Sequence, residues 1–108
     1  MHKNKKAVIL WGNAPDKPTA ETIARGLVEK RLAACVHIFF AGTSVYRWEG
    51  QIHQGEEWSL MIKTRRKKLK KAMKELRKLH PYDVPEMIVT PIMAGSRDYL
   101  SWVDSETC

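Results

Sequence analysis

Cys35 and His37 stand two residues apart in an apolar stretch, Cys35-Val36-His37-Ile38, so in a regular strand both side chains fall on one face. Thiolate is a soft ligand suited to copper(I), and imidazole suits copper as well. Cys35 reads equally as a small core hydrophobe, because free cysteine is among the most buried residue types. His80 precedes Pro81 at the end of an amphipathic pattern, where an imidazolium can meet the last helical carbonyls and the dipole. His2 lies in a basic terminal segment and His53 in a stretch bounded by Gly50 and Gly55, which reads as a solvated turn.

A second set of residues is aromatic. Tyr46, Trp48, Tyr82, Tyr99 and Trp102, with Arg47, Lys63 and Glu86 for charge, would line a cleft for a small polar or anionic ligand. Packing between subunits explains the same rings without a ligand. No nucleophile–base–acid arrangement, phosphate-cradling glycine loop or cysteine-rich zinc spacing accompanies them, so no enzymatic activity is expected.

The third set is basic. Lys63 to Lys78 hold ten bases against one acid, Glu75, while the rest of the chain holds nine bases and eleven acids. Lys67, Lys70, Lys71 and Lys74 therefore make either a polyanion-binding face or a solvated one. No sequence-specific nucleic-acid motif stands with them, and nucleic acid is not the expected partner.

These residues need a scaffold, and 108 residues with 44% hydrophobic and 29% charged content suit one folded domain over 1–108. Its ends, 1–6 and 104–108, are expected to be flexible. No apolar run approaches the roughly 18 residues of a membrane span, and Met-His-Lys-Asn-Lys-Lys opens no secretory pattern. Two cysteines make no disulfide framework, so the expected compartment is the reducing cytoplasm, with no membrane partner.

Ala7 to Trp11 is a continuous apolar run that fits a buried strand. Asp16 can cap a helix running from about residue 17 to 33, with Ile23, Leu27, Val28 and Leu32 on its apolar stripe. Cys35–Phe40 and Thr43–Trp48 read as one strand broken by a bulge at Ala41-Gly42, and Glu49 to Gly55 as its turn. Trp58, Leu60 and Ile62 alternate with Glu57, Ser59, Met61 and Lys63 as a half-buried strand. Leu69, Ala72, Met73, Leu76 and Leu79 mark a second helix, Met87–Ile92 a fourth strand, and Tyr99–Val103 a closing helix or strand. The order predicts an α+β fold, the ferredoxin-like split βαβ with an antiparallel sheet. Such a sheet has helices on one face only, and the open face calls for self-association.

Five strings then stand in register: Glu29-Lys30-Arg31-Leu32-Ala33-Ala34-Cys35-Val36, Ser44-Val45-Tyr46-Arg47-Trp48-Glu49-Gly50, Ile62-Lys63-Thr64, His80-Pro81-Tyr82-Asp83-Val84-Pro85-Glu86 and Tyr99-Leu100-Ser101-Trp102. Over about Val8 to Val103 they resemble the CutA family of divalent-cation-tolerance proteins. The resemblance implies a homotrimer packed through its sheets, acting in tolerance of or response to divalent metals, with copper the foremost cofactor. Where bacterial members have assigned copper ligands, these are a Cys after the first strand and a His-His pair opening the His-Pro-Tyr segment. Here Gly12 and Leu79 occupy those places and only His80 is kept. What this implies is weak metal binding with His80 as main ligand. Cys35 and His37 (commonly Asn in the family) are the further candidates, and Asp83 or Glu86 would serve a harder ion. A cleft of Tyr46, Trp48, Lys63, Tyr82, Glu86, Tyr99 and Trp102 would take a small ligand or a partner protein. The alternatives are a signalling or structural trimer and a polyanion-binding module.

Overall fold

The computed structural model describes residues 1–108. Along the chain come β1 (His2–Lys3), β2 (Ala7–Ala14), α1 (Lys17–Glu29), β3 (Cys35–Trp48), β4 (Gln51–Arg65), a 3-10 turn (Arg66–Lys68), α2 (Leu69–Leu79), β5 (Ile88–Pro91), β6 (Ala94–Gly95) and α3 (Arg97–Glu106). Four of the strands form one antiparallel sheet in the order β3-β4-β2-β5. Central β2 and β4 with two crossover helices give the ferredoxin-like arrangement expected from the element order.

One face of the sheet meets the helices. Leu10, Leu60 and Ile62 from the strands, Ile23 and Leu27 from α1 and Leu76 from α2 are wholly buried together. Each such side chain contributes about 1.5–3 kcal/mol by leaving water. Gly26 lets Leu79 of α2 pack against α1, since a Cβ there would lie 2.8 Å from Leu79 Cδ1.

Asp16 caps α1 as expected, its carboxylate accepting from Thr19 N–H at 2.8 Å. The helix ends at Glu29, earlier than the expected 33. Arg31 turns left-handed at φ 57°. Its N–H donates to Val28 O and that of Leu32 to Leu27 O, which closes a Schellman motif. Leu32 had looked like the next member of the helical stripe. It is instead the apolar residue that packs the chain reversal into the core.

β3 and β4 form a long ribbon with the expected bulge, the register shifting between Phe40 and Gly42. The turn is shorter than expected. Glu49 and Gly50 both have positive φ, 50° and 76°, a two-residue hairpin of the type that matches strand twist, and Trp48 already pairs with Gln51. Residues 51–55 looked like part of the turn because Gly50 and Gly55 bound them. They belong to β4, and His53 lies in a strand, stacked on Tyr46 at 5.6 Å.

The chain ends, expected to be flexible, carry contacts of their own. His2 and Lys3 pair with Gly95 and Ala94, and Asn4 Nδ2 donates to the carbonyls of Ala7 and Ile92 at 2.8 and 2.7 Å. Tyr99–Val103 resolves as part of α3, which continues to Glu106. Thr107 is fully buried, its hydroxyl accepting from Arg65 Nε at 2.8 Å and donating to Val103 O at 2.8 Å. Arg65 also lies 3.1 Å from Asp104 Oδ1, an ion pair without hydrogen-bond alignment. Ala7, Ala34, Leu100 and Val103 pack together under this helix. α3 thus covers one end of the face that α1 and α2 leave open. Toward the other end, Phe39 and Ile88 remain exposed.

Candidate functional site

His80 is placed by the end of α2, where Pro81 forces extended backbone and the chain turns toward β5. Its ring is buried and both nitrogens are engaged. Nε2–H donates to Asn13 O at 2.7 Å, and Nδ1 accepts from Tyr82 N–H at 3.1 Å. That network places the ring proton on Nε2 and leaves no free lone pair. His80 fastens residues 80–82 to the end of β2, and Tyr82 packs on its ring at 4.9 Å.

Cys35 and His37 do share a face of β3, opposite Lys63 and Met61. Cys35 is half-buried, and the exposed His37 ring rests against Phe39 at 5.6 Å. No three His, Cys, Asp or Glu side chains are grouped so that they could hold a metal ion, so His80, Cys35 and His37 are not brought together as a ligand set.

The seven residues expected in one cleft divide into two groups. Tyr46, Trp48, Tyr82 and Glu86 line a cleft of about 690 Å³ between the hairpin ribbon and the 81–86 segment. Lys63, Tyr99 and Trp102 lie outside its lining. Lys63 Nζ donates to Tyr99 Oη at 3.0 Å, a bond that raises the lysine's pKa, and Tyr99 in turn packs on Trp102 at 5.5 Å. α3 separates the groups by closing over the opposite end of the sheet.

The ribbon's register builds the cleft wall. Antiparallel partners share a face, so Ser44, Tyr46 and Trp48 lie with His53 and Glu57. Glu57, opposite Gly42 at the bulge, is a site residue that sequence reasoning missed. It is 7% exposed, and its Oε2 has no hydrogen-bond partner. Burial first, and then the charge of Glu86, push its carboxyl above the usual range. Burial likewise raises Tyr82, helped by the negative charge of Glu57. The signal that could have found Glu57 was the hairpin: a two-residue turn at 49–50 puts Tyr46 opposite His53, and the count then leads to Glu57.

Lys67, Lys70, Lys71 and Lys74 are exposed along α2 and its leading turn. The ion pairs of the fold are Lys30–Glu75, Arg31–Glu106 and Arg65–Asp104, so these four lysines face solvent unpaired. No helix is long and apolar enough to cross a membrane.

A family model described as CutA1 divalent ion tolerance protein matches residues 8–106. The divalent-cation tolerance protein CutA of Thermus thermophilus is 44% identical over 93 residues, 86% of this chain and 90% of that protein. Its counterpart in Pectobacterium atrosepticum is 38% identical over 99 residues, 92% of this chain and 90% of that protein. The crystal structure of CutA from Xylella fastidiosa matches with a TM-score of 0.92 at 38% identity, covering 96% of this chain and 100% of that one. Matched along nearly its whole length by both sequence and fold, the chain belongs to the CutA1 divalent ion tolerance family.

Proposed function

We propose that the protein serves tolerance of divalent cations, copper included, as a non-catalytic cytoplasmic homotrimer that holds metal ions only weakly through its own side chains. The match to the divalent ion tolerance family over residues 8–106 supports the role, and the observation that carries weak binding is the bonding of His80, the one family copper ligand the sequence keeps. A metal at Nδ1 would displace the Tyr82 N–H, and a metal at Nε2 would displace both a proton and the bond to Asn13 O. Tight copper binding requires several deprotonated donors aimed at one point, and the donor set here does not fit such a site.

A second role, binding a small ligand or partner, is favoured by the cleft between the ribbon and residues 81–86. Calorimetric titration with Cu(II) and Zn(II), in a Cys108→Ser background to remove the exposed thiol, tests the metal reading. Weak heats that are unchanged by His80→Ala and Cys35→Ser are expected. Tight one-to-one binding abolished by either substitution would overturn it.

A further inference from the structure

We propose that the cleft binds a small organic cation, an ammonium or guanidinium group held by Glu57 and Glu86 among the rings of Tyr46, Trp48 and Tyr82. The inference rests on reading the cleft as a ligand site and adds the chemistry of what enters it.

The charges point one way. The chain as a whole carries +7, yet the cleft is lined by Glu57, Asp83 and Glu86 with no lysine or arginine among its lining residues. None of these three carboxylates belongs to an ion pair of the fold. Glu57 is more than nine-tenths buried, with Oε2 lacking any hydrogen-bond partner. A buried acceptor without a donor is a rarity in folded proteins, and a donor-rich cation supplies what this one lacks. An ammonium offers three N–H donors and a guanidinium five, with no acceptor to repel the carboxylates.

The rings choose among cations. Aromatic faces attract an organic cation through their quadrupole and tolerate its alkyl portion, and a bare metal ion gains nothing from that apolar surface. Magnesium and calcium demand six or more oxygen ligands at fixed distance, and no metal-holding group forms here. The volume, about 690 Å³, lies within the range of small-molecule pockets and far exceeds a single ion's needs.

Titration of the full chain with agmatine and spermidine, at constant ionic strength, tests the proposal. Calorimetry and tryptophan fluorescence read binding, with Trp48 as the reporter in the cleft wall. Saturable binding of at least one amine is expected, weakened at least tenfold in Glu57→Gln and unchanged in Tyr99→Phe, which lies outside the cleft. Triacetylated spermidine, which has lost all three ammonium charges, should not bind. Circular dichroism of Glu57→Gln guards against a folding defect, and Glu86→Gln gives a second reading of the same site. Absence of binding by both amines, or equal binding to wild type and both Gln variants, overturns the proposal. So does saturable Mg(II) or Ca(II) binding lost in Glu57→Gln. If neither amine binds but Glu57→Gln lowers the mass of the assembly, a basic side chain of a second copy fills the cleft, and the free ligand is overturned. Copper titration involves other residues, so failure here leaves the metal reading standing.

Discussion

Glu57 carries a carboxyl that the fold itself disfavours. Burial and Glu86 hold its pKa above the ordinary 4.5, so the ionised form is less stable in the folded chain than in the unfolded one. A raised carboxyl contributes stability below its unfolded value, and loses that contribution as pH rises through the folded value. Glu57→Gln keeps the shape and removes the charge. It should therefore melt higher than wild type near neutral pH, the difference shrinking toward zero as the pH falls below 4.5. Melting curves across that range check it, and a lower melting temperature at neutral pH would contradict it. His80 shows the limit of residue-level reading. A histidine before proline was legible as a helix-end residue, but its second partner, Asn13 O, comes from 67 residues away and no spacing rule reveals it. His80→Ala should cost about 1–3 kcal/mol in chemical denaturation, because a part-buried carbonyl and an N–H lose their partner.

At the scale of elements, the strands and helices were legible wherever local chemistry and burial agree. Asp16 starts α1, His80-Pro81 ends α2, and Ala41-Gly42 marks the bulge. Reading failed where one residue type serves two purposes. Leu32 is apolar because it closes a reversal, and Gly55 lies inside β4 and not at a turn. The cost of the second error was Glu57, since a long turn hides the register that places it. α2 carries a prediction of its own. Lys67/Lys71, Lys70/Lys74 and Lys74/Lys78 are like-charge neighbours at helical spacing, each pair unfavourable by roughly 0.2–0.5 kcal/mol. Ala72 and Leu76 on the opposite side are buried and supply the packing. Replacing Lys67, Lys70, Lys71 and Lys74 by Gln should keep cooperative folding and raise stability by about 1 kcal/mol at low salt. The gain should fade at high salt as screening removes the repulsion. If wild type binds RNA through this face, its affinity must drop steeply with salt and vanish in the variant. No binding at low salt would leave only a solvated face.

The whole molecule is elongated, 45 × 26 × 21 Å, because the ribbon runs past the helices that cover the rest of the sheet. Two features make a lone chain an uncomfortable object in water. β3 is an edge strand of 14 residues, long enough to template another strand, whereas β5 at the other edge is four residues and ends in Pro91. The open face offers exposed Phe39 and Ile88 beyond the end that α3 covers. Along the ribbon Phe40 is also exposed, while Tyr46 and Trp48 wall the cleft. The homotrimer proposed above would bury both features at once, since a closed assembly repeats one contact until every copy is satisfied. Light scattering is then expected to give a mass near three times 12.5 kDa that persists on dilution. Phe39→Asp and Ile88→Asp test which surface does this, because each places a charge on the open face without touching the core under α1 and α2. If sheet faces make the contact, both should lower the mass toward a single chain while circular dichroism stays that of a folded subunit. If the β3 edge makes it by strand addition, both variants keep the assembled mass, and a proline at Val45 disrupts it by removing a backbone donor. A wild-type chain that runs as a stable monomer would leave the exposed rings without a partner of their own kind and remove the trimer from the proposal.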